Sequence, residues 1–84
     1  MKIYIVVDCC SGEDYSLDAP TILLVTKSYE EAKQFFNDEI VNWEDGMTNF
    51  DSNVEEHEGG ELTYECTDYE GDSHRVMELV EREL

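Results

Sequence analysis

The sequence predicts an α+β fold: a small antiparallel sheet with one amphipathic helix in the order β-β-α-β-β, the last element being a strand or a helix. Three observations predict it. Two short apolar runs rich in β-branched residues open the chain, a capping box introduces a helical repeat of apolar residues, and the second half contains a segment that alternates with period two. With 84 residues, one domain spanning 1–84 is expected.

The first run, Ile3-Tyr4-Ile5-Val6-Val7, and the second, Thr21-Ile22-Leu23-Leu24-Val25-Thr26, both read as strands. Neither alternates cleanly with polar residues, so both are expected to be central strands with each face at least partly covered. Residues 9–20 between them contain Ser11-Gly12-Glu13-Asp14 and Asp18-Ala19-Pro20, turn chemistry that can join an antiparallel pair. Such a loop is long for a hairpin and is a candidate functional segment. The helix starts at Ser28-Tyr29-Glu30-Glu31, where the Ser28 hydroxyl is placed to accept from the Glu31 amide and the Glu31 side chain to reach back. Ala32, Phe35, Phe36, Ile40 and Trp43 recur at helical spacing, with Glu30, Lys33, Asn37 and Asp38 opposite. Glu39 alone sits awkwardly beside the apolar stripe, and Asp45-Gly46 supplies the stop.

Residues 47–60 are polar, with a short strand expected over 53–56 and flexibility at Gly59-Gly60. Residues 61–67 place Leu62, Tyr64 and Cys66 on one face and Glu61, Thr63, Glu65 and Thr67 on the other, a half-buried strand. Glu70-Gly71-Asp72-Ser73 is a turn. Residues 74–84 fit a helix through Val76, Leu79, Val80 and Leu84, or a strand through two-residue alternation; the hairpin strand is preferred.

Charge dominates the functional reading. Twenty-two acidic residues face five basic ones, a formal net charge of −17. Residues 1–42 carry three basic and eight acidic residues, and residues 43–84 two and fourteen, so the excess is concentrated in the second half. From Glu44 to the next basic residue, Arg75, there are eleven acids. Direct binding to a phosphate backbone is excluded, since this charge repels nucleic acid within the Debye length. Hydrophobic residues at 40% and aromatics at 11% are too abundant for a disordered acidic tail. The N-terminal apolar run ends at Asp8, too early for a signal or membrane-spanning segment. Three cysteines, Cys9 and Cys10 adjacent and Cys66 apart, do not make a secreted disulfide framework. A soluble protein of the bacterial cytoplasm with reduced thiols is expected.

No catalytic, metal or cofactor site is expected. Adjacent cysteines are not the C-x-x-C knuckle that aims two thiolates at one zinc. Asp51-Ser52-Asn53-Val54-Glu55 begins like a calcium loop, but Glu56 stands where glycine is needed and Leu62 where a bidentate glutamate belongs. His57 and His74 have no nucleophile context, and carboxylates near a thiol raise its pKa. No glycine-rich phosphate loop is present.

A small core carrying this charge sustains self-repulsion beyond what solubility needs. Three explanations compete: mimicry of a polyanion, general acidic binding to a basic protein, and a partner-independent excess such as adaptation to high salt. Mimicry is preferred, because carboxylates two apart on a strand lie about 6.5 to 7 Å apart, a scale similar to that of successive backbone phosphates. Asp51, Glu55, Glu56, Glu58, Glu61, Glu65, Asp68, Glu70 and Asp72 form the candidate partner-binding surface. Tyr69 and Phe50 are candidate anchors within it, whereas Trp43 and Tyr64 are expected in the core. The partner is a basic nucleic-acid-binding protein or complex, not a nucleic acid or membrane. The alternative is an acidic interaction module that regulates a basic host protein away from any nucleic-acid site. Whichever of Tyr4/Val6 and Ile3/Ile5/Val7 faces away from the helix leaves an apolar sheet face to cover, by a homodimer or by the chain's own loop or C-terminal segment.

The strand MKIYIVV, the acidic loop after it and the segment TKSYEEAKQFF together resemble short phage-encoded proteins, among them anti-CRISPR and anti-restriction inhibitors of the DNA-mimic type. The resemblance spans about the first half of the chain. It implies a non-catalytic inhibitor whose carboxylates occupy the basic DNA- or RNA-binding groove of a bacterial defence protein, such as a CRISPR effector complex. These families share little sequence, so the resemblance assigns no individual residue.

Overall fold

The computed structural model describes residues 1–12, 21–71 and 73–84, with the side chains of 9–12 left aside. Along the chain run β1 (Lys2–Gly12), β2 (Thr21–Thr26), α1 (Tyr29–Glu44), β3 (Phe50–Glu56), a 3-10 turn at Glu58–Gly60, β4 (Leu62–Asp68) and β5 (Ser73–Glu83). The five strands form one antiparallel sheet in the order β2-β1-β5-β4-β3, which makes the fold α+β. The two ends of the chain are tied together. Lys2 pairs with Glu83, the Leu84 amide donates to the Met1 carbonyl at 2.8 Å, and the N-terminal ammonium meets Glu83 at 3.1 Å.

Of residues 74–84, all but Leu84 form the preferred strand, because β5 lies in the middle of the sheet, paired with β1 on one side and β4 on the other. Its alternate residues Arg75, Met77 and Leu79 are buried, a pattern of period two that overrides the helical spacing of Val76, Leu79 and Val80. β1 is central, as expected. β2 is not: it is an edge strand, with Ile22 61% and Val25 53% exposed. β-branched composition identifies a strand but does not report its lateral position. β3 begins at Phe50, three residues before the short strand expected over 53–56. The loop expected over 9–20 starts later, since β1 continues to Gly12, and residues 13–20 lie outside the described ones.

Helix α1 covers one face of the sheet. Ser28 has extended backbone and its Oγ accepts from the Glu31 amide at 3.2 Å, while the Ala32 amide closes the first turn on the Ser28 carbonyl at 3.1 Å. At the other end, Gly46 takes φ 84°, the left-handed conformation that stops the helix. Ala32 and Phe36 from the helix join Val6, Leu62, Tyr64, Cys66, Met77 and Leu79 from the sheet in the buried core, with Phe35, Ile40 and Trp43 packed at its margin. Tyr4 and Val6 therefore face the helix and Ile3, Ile5 and Val7 face away. Tyr29 also fixes the 3-10 turn, since its hydroxyl donates to the Gly60 carbonyl at 2.9 Å. Gly60, at φ 85°, lies so close to that ring that a Cβ would come within 3.1 Å of it.

Arg75 accounts for Glu39 beside the apolar stripe. The arginine side chain is 7% exposed, lies 3.5 Å from Asp8 of β1 and 3.4 Å from Glu39 of α1, and has its guanidinium carbon 5.1 Å from the centre of the Trp43 ring. A buried cation is tolerated when paired, and here two carboxylates and an aromatic face share it. Removing it leaves both Asp8 and Glu39 without their counter-charge. Arg75→Ala is expected to lower the unfolding free energy by about 3 kcal/mol, the low end for breaking a buried pair because Glu39 is partly open to solvent. Urea denaturation measures this, and adding Asp8→Asn and Glu39→Gln is expected to restore part of the loss.

Candidate functional site

β3 and β4 gather the acidic residues at one end of the sheet. The register sets Asp51 opposite Thr67, Asn53 opposite Glu65 and Glu55 opposite Thr63, and β4 in turn sets Thr67, Glu65 and Thr63 against His74, Val76 and Glu78 of β5. All these positions lie on the face turned away from α1, because the alternate set, Leu62, Tyr64 and Cys66, is buried beneath the helix. Glu65 thus stands diagonally between Asp51 and Glu55, at backbone separations of roughly 7–8 Å. Glu78, which was not among the sequence candidates, continues the acidic patch onto β5; only the pairing with Thr63 reveals it. A shallow depression lined by Asp51, Ser52, Asn53, Glu65 and Thr67 lies at this end.

The candidate acids divide by what they touch. Glu55, Glu56, Glu58 and Glu70 are exposed and make no ion pair among the described residues. Glu56 pairs with Leu62 and so projects from the opposite face to Glu55. Glu65 is exposed, with His74 Nε2 3.8 Å away, and His74 Nδ1 is 3.0 Å from the Thr67 hydroxyl. Asp51 accepts a 2.8 Å hydrogen bond from the hydroxyl of Tyr69, itself 57% exposed. Glu61 and Asp68 serve the fold. The Glu61 carboxylate accepts from the Glu81 amide at 2.9 Å and lies 3.5 Å from Arg82, while Asp68 accepts from the Glu70 amide at 3.1 Å and shapes the β4–β5 turn. Asp72 lies outside the described residues.

Of the aromatic candidates, Tyr69 stands at the acidic surface and Phe50 packs against the core. Tyr64 is fully buried, as expected, and Trp43 packs at the core's margin. The hydrogen bond to Asp51 and its charge push the Tyr69 phenol above the ordinary tyrosine value. Asp51 to Glu55, compared above with a calcium loop, is extended and strand-paired throughout. Cys66 is a buried free thiol; the side chains of Cys9 and Cys10 are not among those described. Among the described residues, no three His, Cys, Asp or Glu side chains converge as for a metal, and no helix is long and apolar enough to cross a membrane.

The fold and surface define a small, strongly acidic α+β protein that has, among the described residues, one α-helix on a five-stranded antiparallel sheet. Comparison with protein-family models, with curated proteins and with solved structures finds no significant match to any of them.

Tyr64 links the core to Glu44 at the end of the helix, donating to its carboxylate at 2.6 Å. Burial, and then hydrogen bonding with Cys66 and Glu44, hold the phenol far above its ordinary value. The folded state therefore favours the neutral phenol. The resulting stability is complete below the unfolded value near pH 10 and is lost as pH rises above it. Tyr64→Phe is expected to cost about 1–2 kcal/mol at neutral pH and to lose stability less steeply than the unaltered chain above about pH 10. Urea denaturation across that range checks this, and parallel declines would contradict it.

Proposed function

We propose that the chain is a non-catalytic acidic inhibitor, acting in the bacterial cytoplasm, that presents carboxylates in place of nucleic-acid phosphates to the basic groove of a defence protein such as a CRISPR effector complex. The observation that carries this reading is the distribution of charge over β3 and β4. Asp51, Glu55, Glu56 and Glu65 are exposed there, and neither strand has a Lys or Arg to offset them. The nearest arginine in sequence, Arg75, is spent inside the core.

Repulsion among exposed carboxylates is released when a cationic groove replaces water and counterions around them. The strand spacing is on the scale of successive phosphates, so a groove lined by Lys and Arg meets its counter-charges at matching intervals. Affinity built this way acts first on encounter, and salt weakens it.

Two measurements test the proposal. A pull-down from nuclease-treated bacterial lysate is expected to retain a nucleic-acid-binding protein that competitor DNA or RNA displaces. Retention indifferent to competitor favours instead an acidic module acting away from the nucleic-acid site. With the retained protein in hand, Asp51→Asn/Glu55→Gln/Glu65→Gln is expected to slow association by roughly tenfold or more at low salt while changing dissociation less. An unchanged association rate would overturn the electrostatic mechanism. Glu61 is left out of this variant because its carboxylate holds the Glu81 amide.

A further inference from the structure

The sheet face opposite α1 is divided. On β1 it presents Ile3, Ile5 and Val7, on β5 Val76 and Val80 with His74 and Arg82 towards the strand's ends, beside Glu65 and Glu61, and on β2 Ile22 and Val25, which pair with Val7 and Ile5. On β3 and β4 the same face presents Asp51, Glu55 and Glu65, and Glu78 adjoins them on β5. The boundary falls between directly paired residues, Val76 against Glu65. Side chains of such a pair stand about 5 Å apart, so anything touching this seam meets a valine and a carboxylate together.

We propose that this divided face is the docking surface for the basic partner, and that it recognises a protein surface with an apolar ridge bordered by Lys or Arg. The inference rests on the functional reading above and adds to it an apolar component that a phosphate backbone lacks. Charge selects the occupant. A second copy brings another net charge of −17, and an anionic lipid surface or a nucleic acid is repelled by the carboxylates. A lysine or arginine crossing the seam lays its methylene stem along Val76 and extends its charged head to Glu65, and a second lies along Val7 and reaches Glu78, its direct pair. The apolar ridge fills the remaining strip over Ile3, Ile5, Val25 and Val80.

The test compares two synthetic peptides of equal length and charge, one alternating lysine with leucine and the other lysine with serine, binding to the full chain by isothermal titration calorimetry. The lysine–leucine peptide is expected to bind roughly tenfold more tightly, as burial of a few apolar side chains at a shared charge provides. Ile5→Thr/Val80→Thr, which keeps β-branched residues in the strands, is expected to erase that preference and leave lysine–serine binding unchanged. Equal binding of the two peptides to the unaltered chain overturns the docking proposal and leaves polyanion mimicry standing. Failure of both to bind at low salt overturns the reading on which it rests. Sedimentation equilibrium completes the test: a dimer of the unaltered chain that the same double substitution dissociates assigns the face to a second copy and overturns the proposal. The peptide comparison on the unaltered chain is decisive even where the double variant does not fold.

Discussion

A single buried cation organises this protein. Arg75 enters the core from the central strand β5 and is held by Asp8 of the neighbouring β1, by Glu39 of the helix and by the face of Trp43. Its position couples three elements that are distant in sequence. In a chain with five basic residues and twenty-two acidic ones, placing an arginine inside removes a counter-charge from the surface. Lys2 and Arg82 are likewise engaged, with Glu81 and Glu61, near the joined termini. None of these three cations pairs with the exposed acids of β3 and β4.

Strand order determines where those acids fall. Since β5 returns to the centre, the acid-rich β3 becomes an edge and β4 its neighbour. An edge strand exposes backbone donors and acceptors to any passing strand, and like charges along it oppose pairing with another copy. Edge protection needs only a few such charges. The continuation of exposed acids onto β4, at Glu65, goes beyond the edge, and this is the part of the surface that a cationic partner explains and edge protection does not. The apolar strip beside it has the complementary problem, because β-branched side chains on a sheet face that no described element packs over favour contact with another protein.

Much of the architecture was legible in the sequence. The Ser28 cap, the Phe36 stripe and the Leu62/Tyr64/Cys66 alternation are local signals, and each corresponds to an observed contact. What was hidden depended on partners far along the chain. The exposed edge position of β2 follows from the strand order, which no local pattern encodes, whereas the strand at β5 was already the preferred reading of its two-residue alternation. Glu39 looked misplaced because its counter-ion lies 36 positions away. The acid count identified a surface but did not distinguish carboxylates that hold the fold, Glu61 and Asp68, from those that face solvent, Glu55 and Glu65. Glu78 was missed because its neighbours on the open face are set by register.

On the function proposed above, the exposed acids of β3 and β4 serve a partner and work against the fold. The most direct test is the unfolding free energy of Asp51→Asn/Glu55→Gln/Glu65→Gln beside that of the unaltered chain, at low and at moderate salt. Greater stability of the variant at low salt, with the difference shrinking as salt screens the charges, is the result the account predicts. A variant less stable than the unaltered chain at both salt concentrations would show that these carboxylates hold the fold together, and would contradict it.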